Sequence, residues 1–348
     1  MLNRRSFSLG GAAALMLAAS PAVSSAGETG VWSQRADMPF PVQEIYPARF
    51  LKGGAEVIVN AGGVTPKGLL PLNFSDEVVI YDPSQDVWSS GPTLPAARHH
   101  LVLVAAGGAL YAIGGFSGDM LGPWRMQSTV WRLDDLQGDW SPAPDLPAPQ
   151  GEAHAAAVGG RIHVIGGRTP KGEANRKASD HRDTDAHWAF DIAAGTWEAC
   201  RPLPTARNSG ACVYLDGLIY VVSGRMFGGE NTPVCEAYDP KTDAWRTVAP
   251  LPAPARQDAP RGQGGLAAAA WNGEIVALGG EWFSGAQGVY ADAWAYNPQQ
   301  DAWRAVAPMP RPRHGLGAVA LSDGVYVIGG ATEPSGKGTS PYLDRFVI

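Results

Sequence analysis

The sequence predicts an all-β protein, a closed ring of six four-stranded sheets: a six-bladed β-propeller. Three observations predict it. First, a short apolar hairpin ending in a glycine pair recurs six times, at Gly62-Gly63, Gly114-Gly115, Gly166-Gly167, Ser223-Gly224, Gly279-Gly280 and Gly329-Gly330, with Ser223 once replacing the first glycine. The first members lie 52, 52, 57, 56 and 50 residues apart, and a strand-built period near fifty is the length of one propeller blade. Second, each pair is followed in fixed order by a variable loop, a strand ending in an aromatic or Leu and an acid or amide, and a Leu-Pro or Met-Pro. Third, the last repeat stops without its tryptophan strand, and the missing piece stands at the other end of the chain.

Each blade then reads as strands a to d. Strand a converges on the central channel and is correspondingly small-residued: Ala155-Ala156-Ala157, Gly210-Ala211, Ala267 to Ala270 and Gly317-Ala318. Strand b ends at the glycine pair, where the chain turns with positive φ and neighbouring backbone comes close. Strand c ends at Tyr81-Asp82, Leu133-Asp134, Phe190-Asp191, Tyr238-Asp239, Tyr296-Asn297 and, in the last repeat, at Leu343-Asp344. Strand d carries Trp88, Trp140, Trp197, Trp245 and Trp303, aromatic wedges between adjacent sheets, each burial worth about 2–3 kcal/mol. Val31 to Pro39 has the Trp32, the spacing and the Met-Pro of a strand d, so it closes the last blade and removes two sheet edges.

Glycine pair, strand-c aromatic and tryptophan in phase resemble the kelch repeat, over nearly everything after residue 30. The resemblance implies the fold. It does not imply one function, because kelch propellers host enzymes, sugar binders and protein-interaction modules alike.

Residues 1–26 read as an export signal: Arg4-Arg5, an apolar stretch from Leu9 to Ala19 too short to span a bilayer, and small residues at Ser24-Ser25-Ala26. The Asn3-Arg4-Arg5-Ser6-Phe7 start resembles the twin-arginine class. The expected organisation is signal peptide 1–26 and propeller 27–348, with a periplasmic or secreted location. Net charge is −6, and −8 without residues 1–26, which hold two Arg and no acid. That argues against nucleic acid or an anionic membrane as partner. The three cysteines, Cys200, Cys212 and Cys235, fall in a strand d, a strand a and a strand c, and predict no disulfide framework. No Cys-x-x-Cys occurs, and no metal or cofactor is expected from the motifs.

The b–c and d–a loops gather at one mouth of the channel, where a small-molecule site belongs. The wider rim includes Glu44, His99, His100 and Arg168. Arg98, Arg207 and Arg313 recur in register after the Leu-Pro or Met-Pro, which favours structural clamps between blades over ligand contacts. Residues that break register are the sharper candidates: Glu152, His154, Asn208, Glu281 and the third b–c loop. Glu281 and Glu152 are the acid–base candidates, and His154, Arg207, Asn208, Arg225, Arg261 and His314 the ligand-contact candidates. The loop from Arg168 to Asp185 adds Asn175, Asp180, His181 and Asp183, which can hold a cation or polar ligand or lie in a solvated charged loop.

Two activities found among kelch propellers give residue-level expectations. Galactose oxidase-type enzymes bind copper through two Tyr and two His, and the mouth shows no matching set. The exported sialic-acid mutarotases are thought to use a Glu just after a strand-b glycine, with an Arg six residues on. Glu281 matches the acid; Gln287 stands where the Arg belongs, leaving Arg225 or Arg261 as substitutes. Three readings follow: an exported propeller binding a polar, carbohydrate-like ligand; a sugar mutarotase or epimerase using Glu281 or Glu152; or a protein-interaction scaffold.

Overall fold

A computed structural model describes residues 30–66, 73–119 and 122–348. The expected signal peptide lies outside them. Six four-stranded antiparallel sheets surround a channel. Blade 1 is Ala48–Lys52, Ala55–Ala61, Val78–Asp82 and Val87–Ser90. Blade 2 is Val102–Ala106, Ala109–Ile113, Val130–Leu133 and Ser141–Ala143. Blade 3 is His154–Val158, Arg161–Ile165, His187–Asp191 and Thr196–Ala199. Blade 4 is Ala211–Leu215, Leu218–Val222, Cys235–Asp239 and Ala244–Val248. Blade 5 is Ala267–Trp271, Glu274–Leu278, Ala293–Asn297 and Ala302–Ala305. Blade 6 joins Gly317–Leu321, Gly324–Ile328 and Leu343–Val347 to the N-terminal Val31–Gln34.

The closure is specific. Trp32 pairs with Phe346 in the ladder, and the rings stack at 4.5 Å. The indole N–H of Trp32 donates to Ala307 O of blade 5 at 3.0 Å. All six tryptophans do the same: Trp88 to Ala36, Trp140 to Pro92, Trp197 to Pro144, Trp245 to Arg201 and Trp303 to Ala249, at 2.8–2.9 Å. Each therefore ties its blade to the preceding one by a hydrogen bond as well as by buried area.

One expectation is corrected. Ile328 pairs with Leu343 and Val325 with Phe346. Phe346, not Leu343, thus occupies the aromatic position that Tyr81 takes in blade 1, where Tyr81 opposes Ile58 and contacts Trp88. The register follows burial, because Phe346 is fully buried against Trp32, and a shift would turn it outward.

The glycine pairs sit where blades touch. At Gly279, with φ of 70°, a Cβ would lie 2.5 Å from the Arg313 carbonyl of the next blade. Gly280 N–H donates to that same carbonyl at 2.9 Å. Between the blades lie six apolar cores, one per interface. The channel wall is the small-residue strand a of every blade, with Ala155, Ala156, Ala268, Ala269 and Ala318 among its lining. Among the described residues, four b–c loops carry a two-stranded ribbon, including Arg168–Pro170 with His181–Asp183 and Glu281–Trp282 with Gly288–Val289.

Candidate functional site

The mouth is built from two tiers of equivalent residues. The inner tier is the residue just before the strand-a entrance of each blade: Glu44, His100, Glu152, Ser209, Gly265 and Gly315. All six have positive φ, between 50° and 67°. Successive blades are linked here by backbone bonds, Glu44 N to Gly315 O, His100 N to Glu44 O, Gly265 N to Ser209 O and Gly315 N to Gly265 O. This hydrogen-bonded turn inward requires the left-handed conformation. Two blades meet the requirement with glycine, while four keep a side chain there despite the strain. The outer tier is the residue after each glycine pair, held by a bridge to the d–a loop: Gly151 with Arg168, Asn208 with Arg225 and Gly264 with Glu281.

The two tiers enclose a cavity of about 410 Å³. Its floor carries Glu44, His100, Glu152, Arg168, Arg225 and Glu281, and its wall carries Phe74, Trp124 and Phe283. The charges are paired. Arg168 Nε lies 3.0 Å from Glu152 Oε2, and Arg225 Nη1 lies 2.9 Å from Glu281 Oε1. His100 Nε2 lies 2.8 Å from Glu44 Oε2 and 3.5 Å from Glu152 Oε1. Ser209 Oγ donates to Glu152 at 3.1 Å, and Ser335 N–H to Glu281 at 2.8 Å. Phe283 covers the Arg225 guanidinium at 4.9 Å.

Protonation follows from the contacts. His99 Nε2 meets Pro123 O at 2.8 Å and its Nδ1 meets His100 Nδ1 at 2.7 Å. A carbonyl only accepts, so His99 is protonated at Nε2 and its Nδ1 accepts from His100. Burial and the neighbouring His100 push the His99 pKa down to about 3. Burial opposes charge on His100 too, but Glu44 and Glu152 outweigh it and raise its pKa. His100 is thus the imidazolium of the pair, donating from both nitrogens. Burial also opposes the carboxylates; His100, His314 and Arg225 nonetheless hold Glu44 far below the ordinary range. Glu152 is likewise lowered, by Arg168, His100 and Arg225 against its burial.

With this geometry in hand, likeness to known proteins can be stated. The model of the KLHDC2/KLHL20/DRC7 Kelch-repeats domain matches residues 145–330, just over half of the chain, and that of the Kelch motif matches residues 97–147. The chain belongs to the kelch-repeat family. It is 29% identical over 295 residues to Kelch-like protein 35 of Mus musculus, covering 84% of this chain and 45% of that protein. Kelch-like protein terF of Aspergillus terreus is 26% identical over 269 residues, 74% of this chain and 54% of its own length. The chain thus spans about half the length of these curated relatives. A solved structure titled "Structure of YjhT" superposes with a TM-score of 0.72 at 16% identity, covering 89% of this chain and 96% of that one. That likeness is one of fold. A kelch propeller is a scaffold for binding a ligand or a protein.

The kelch frame brings some of the predicted residues together and separates others. Glu281, Glu152 and Arg225 meet in the cavity, and Arg225 takes the cationic place beside Glu281 from the neighbouring blade. His314 stands beside them, its Nδ1 3.5 Å from Glu281 and its Nε2 donating to Glu333 O. Asn208 is buried behind the floor, bonded to Asp183 at 2.6 Å. Arg207 is not a ligand residue. It is fully buried, with Glu236 at 2.5 Å and the carbonyls of Thr205, Val221 and Ser223 consuming its donors. Arg261 is exposed and outside the cavity lining. His154 lines a separate cavity of about 110 Å³ within the channel.

The charged loop is mostly internal structure. Asn175 bonds Met126 N and O, tying the b–c loops of blades 2 and 3. Asp180 accepts from Arg176 N and Lys177 N. Asp183 accepts from Asn208 and Phe227 N, and His181 is buried against Phe116 with ring centroids 5.6 Å apart. From this loop Arg168 and Ala178 reach the cavity. Glu44, His100 and Arg168 stand on the predicted rim but are not among the sharper candidates that the sequence singles out. Aligning the repeats on the positive-φ column would have exposed the first two.

Proposed function

We propose that this kelch propeller binds a neutral, hydroxyl-rich ligand of sugar size in the mouth cavity. The observation that carries the reading is the pairing of the floor. Both guanidinium groups there are already engaged by carboxylates, so an anionic ligand would have to break an ion pair. A hydroxylated ligand adds hydrogen bonds to the carboxylate lone pairs that remain open without displacing anything. The aromatic wall offers flat apolar faces for the C–H faces of a sugar ring, in a pocket of suitable volume. Saturation-transfer NMR against neutral monosaccharides, sugar acids and polyols tests it. A neutral sugar should give signal that Glu281→Gln and Glu152→Gln weaken. Signal confined to sugar acids contradicts the neutral reading, and silence throughout the panel leaves the protein-scaffold reading in its place.

The contact of Glu281 with Arg225 favours a second reading, anomer interconversion. A floor carboxylate would take the anomeric hydroxyl proton while His100, turning its Nε2–H from Glu44 to the sugar, protonates the ring oxygen and opens the C1–O bond; reclosure on the other face returns both protons. Exchange NMR on the bound sugar detects it, and a rate equal to that of buffer removes it. Export through residues 1–26 is part of the same proposal. Fractionation should find the chain outside the cytoplasm, and Arg4→Lys with Arg5→Lys should retain it inside.

A further inference from the structure

The interface between blades 3 and 4 departs from the other five. Among the described residues its apolar core holds six buried side chains, against at least eleven at every other interface. The departure is local to one face of blade 3. His163 stands in strand b where the other blades place Val59, Tyr111, Tyr220, Val276 and Tyr326. His187 opens strand c where they place Val78, Val130, Cys235, Ala293 and Leu343. Cys200 follows strand d directly opposite, its N–H bonded to His187 O at 2.9 Å. Two imidazoles and a thiol thus replace residues the repeat otherwise keeps almost wholly non-ligating, and their donor atoms all lie within 4.8 Å of one another.

Both imidazoles are 2% exposed, and buried polar rings need compensation. His187 Nδ1–H donates to Arg201 O at 3.1 Å, which leaves its Nε2 lone pair aimed at His163 Nδ1, 2.9 Å away. A ring nitrogen anchored on a backbone carbonyl, with the other presenting its lone pair, is how metal-ligating histidines are oriented; here that lone pair accepts the His163 Nδ1–H. Tetrahedral zinc geometry, with Zn–N near 2.0–2.1 Å, separates the two nitrogens by about 3.3 Å, so the rings need to part by only about 0.4 Å. Cys200 is half-buried, which gives an ion a way in.

We propose that His163, His187 and Cys200 form a three-ligand site for a zinc-type divalent ion, with the fourth position open. Two imidazoles and one thiolate suit zinc and its neighbours over calcium or magnesium. On binding, the thiol releases its proton to solvent and the His163 proton moves from Nδ1 to Nε2, freeing both facing lone pairs. Sequence spacing conceals the site, because the ligands are 24 and 13 residues apart in an order no short motif describes.

The test is a titration of the full chain, without an affinity tag and stripped with chelator, first with Co²⁺ and then with Zn²⁺. One equivalent of cobalt should give a thiolate-to-metal charge-transfer band and visible d–d bands, both lost on adding zinc. Cys200→Ser should lose the charge-transfer band. His163→Tyr and His187→Val, residues the repeat uses at these positions, should lose cobalt binding while keeping the fold. No cobalt spectrum in the parent protein overturns the site. So does a spectrum unchanged by Cys200→Ser, a substitution small enough to carry the test if the histidine variants do not fold.

Discussion

At the scale of single residues, the same side-chain type does opposite jobs depending on where its register places it. Arg207 and Arg225 are both paired with a carboxylate, but Arg207 is buried and spends its donors within blade 4, while Arg225 faces the cavity. Removing the Arg207 partner leaves an unpaired buried charge, so Glu236→Gln should destabilise the protein by about 3–5 kcal/mol, seen as a lower denaturant midpoint. Glu281→Gln at the open mouth should cost much less stability and act on ligand binding instead. His100 adds a pH dependence of known sign. Its folded pKa is raised, so its contribution is complete below the ordinary value of 6.5 and is lost as pH rises through the folded value. Ligand affinity that depends on the charged His100–Glu44 pair should fall over that alkaline limb, and His100→Gln should flatten it.

At the scale of the element, the glycine pair and the strand-d tryptophan fix how one blade meets the next. Gly279→Ala should cost about 2 kcal/mol or more in urea unfolding, since the new Cβ meets a carbonyl at 2.5 Å in a left-handed backbone. These features were legible in the sequence because backbone geometry demands them six times over, and repetition makes a demand visible. Strand c of blade 6 was misread by three residues, because Leu343-Asp344 imitates the aromatic–acid ending while the tryptophan that sets its register lies more than three hundred residues away. The site was legible in part for the same reason. Its location followed from the repeat, and Glu281 and Glu152 from their departure from it. Of its pairings, Arg225 with Glu281 was one of two the sequence left open, beside Arg261, and His100 with Glu44 did not follow; each joins residues 56 positions apart, a blade away rather than a turn away. The loop from Arg168 to Asp185 misled by composition: its acids satisfy backbone N–H groups of the loop and its neighbours, which charge counting does not reveal.

At the scale of the whole molecule, the ring is a cycle of equivalent joints, and the joint made by Trp32 carries the closure. Trp32→Phe removes one indole bond and should cost about 1 kcal/mol. A circular permutant that links Ile348 to Gly30 and opens at the Gly53-Gly54 hairpin should remain folded, since every sheet keeps four strands. Global stability should fall on acidification. Burial lowers the pKa of His99 and His154 to about 3 and that of His181 below its ordinary value; with chelator present His163 and His187 join them at about 4. Each is neutral when folded and takes a proton when unfolded below pH 6.5, so the melting temperature should drop steadily from about pH 6.5 toward pH 4. The account turns on what the mouth holds. A crystal of the protein soaked with the neutral sugar giving the strongest saturation-transfer signal should show the ring seated among Phe74, Trp124 and Phe283, with hydroxyls on Glu44, Glu152 or Glu281. Sugar density on any other face, or an empty mouth at saturating sugar, would contradict it.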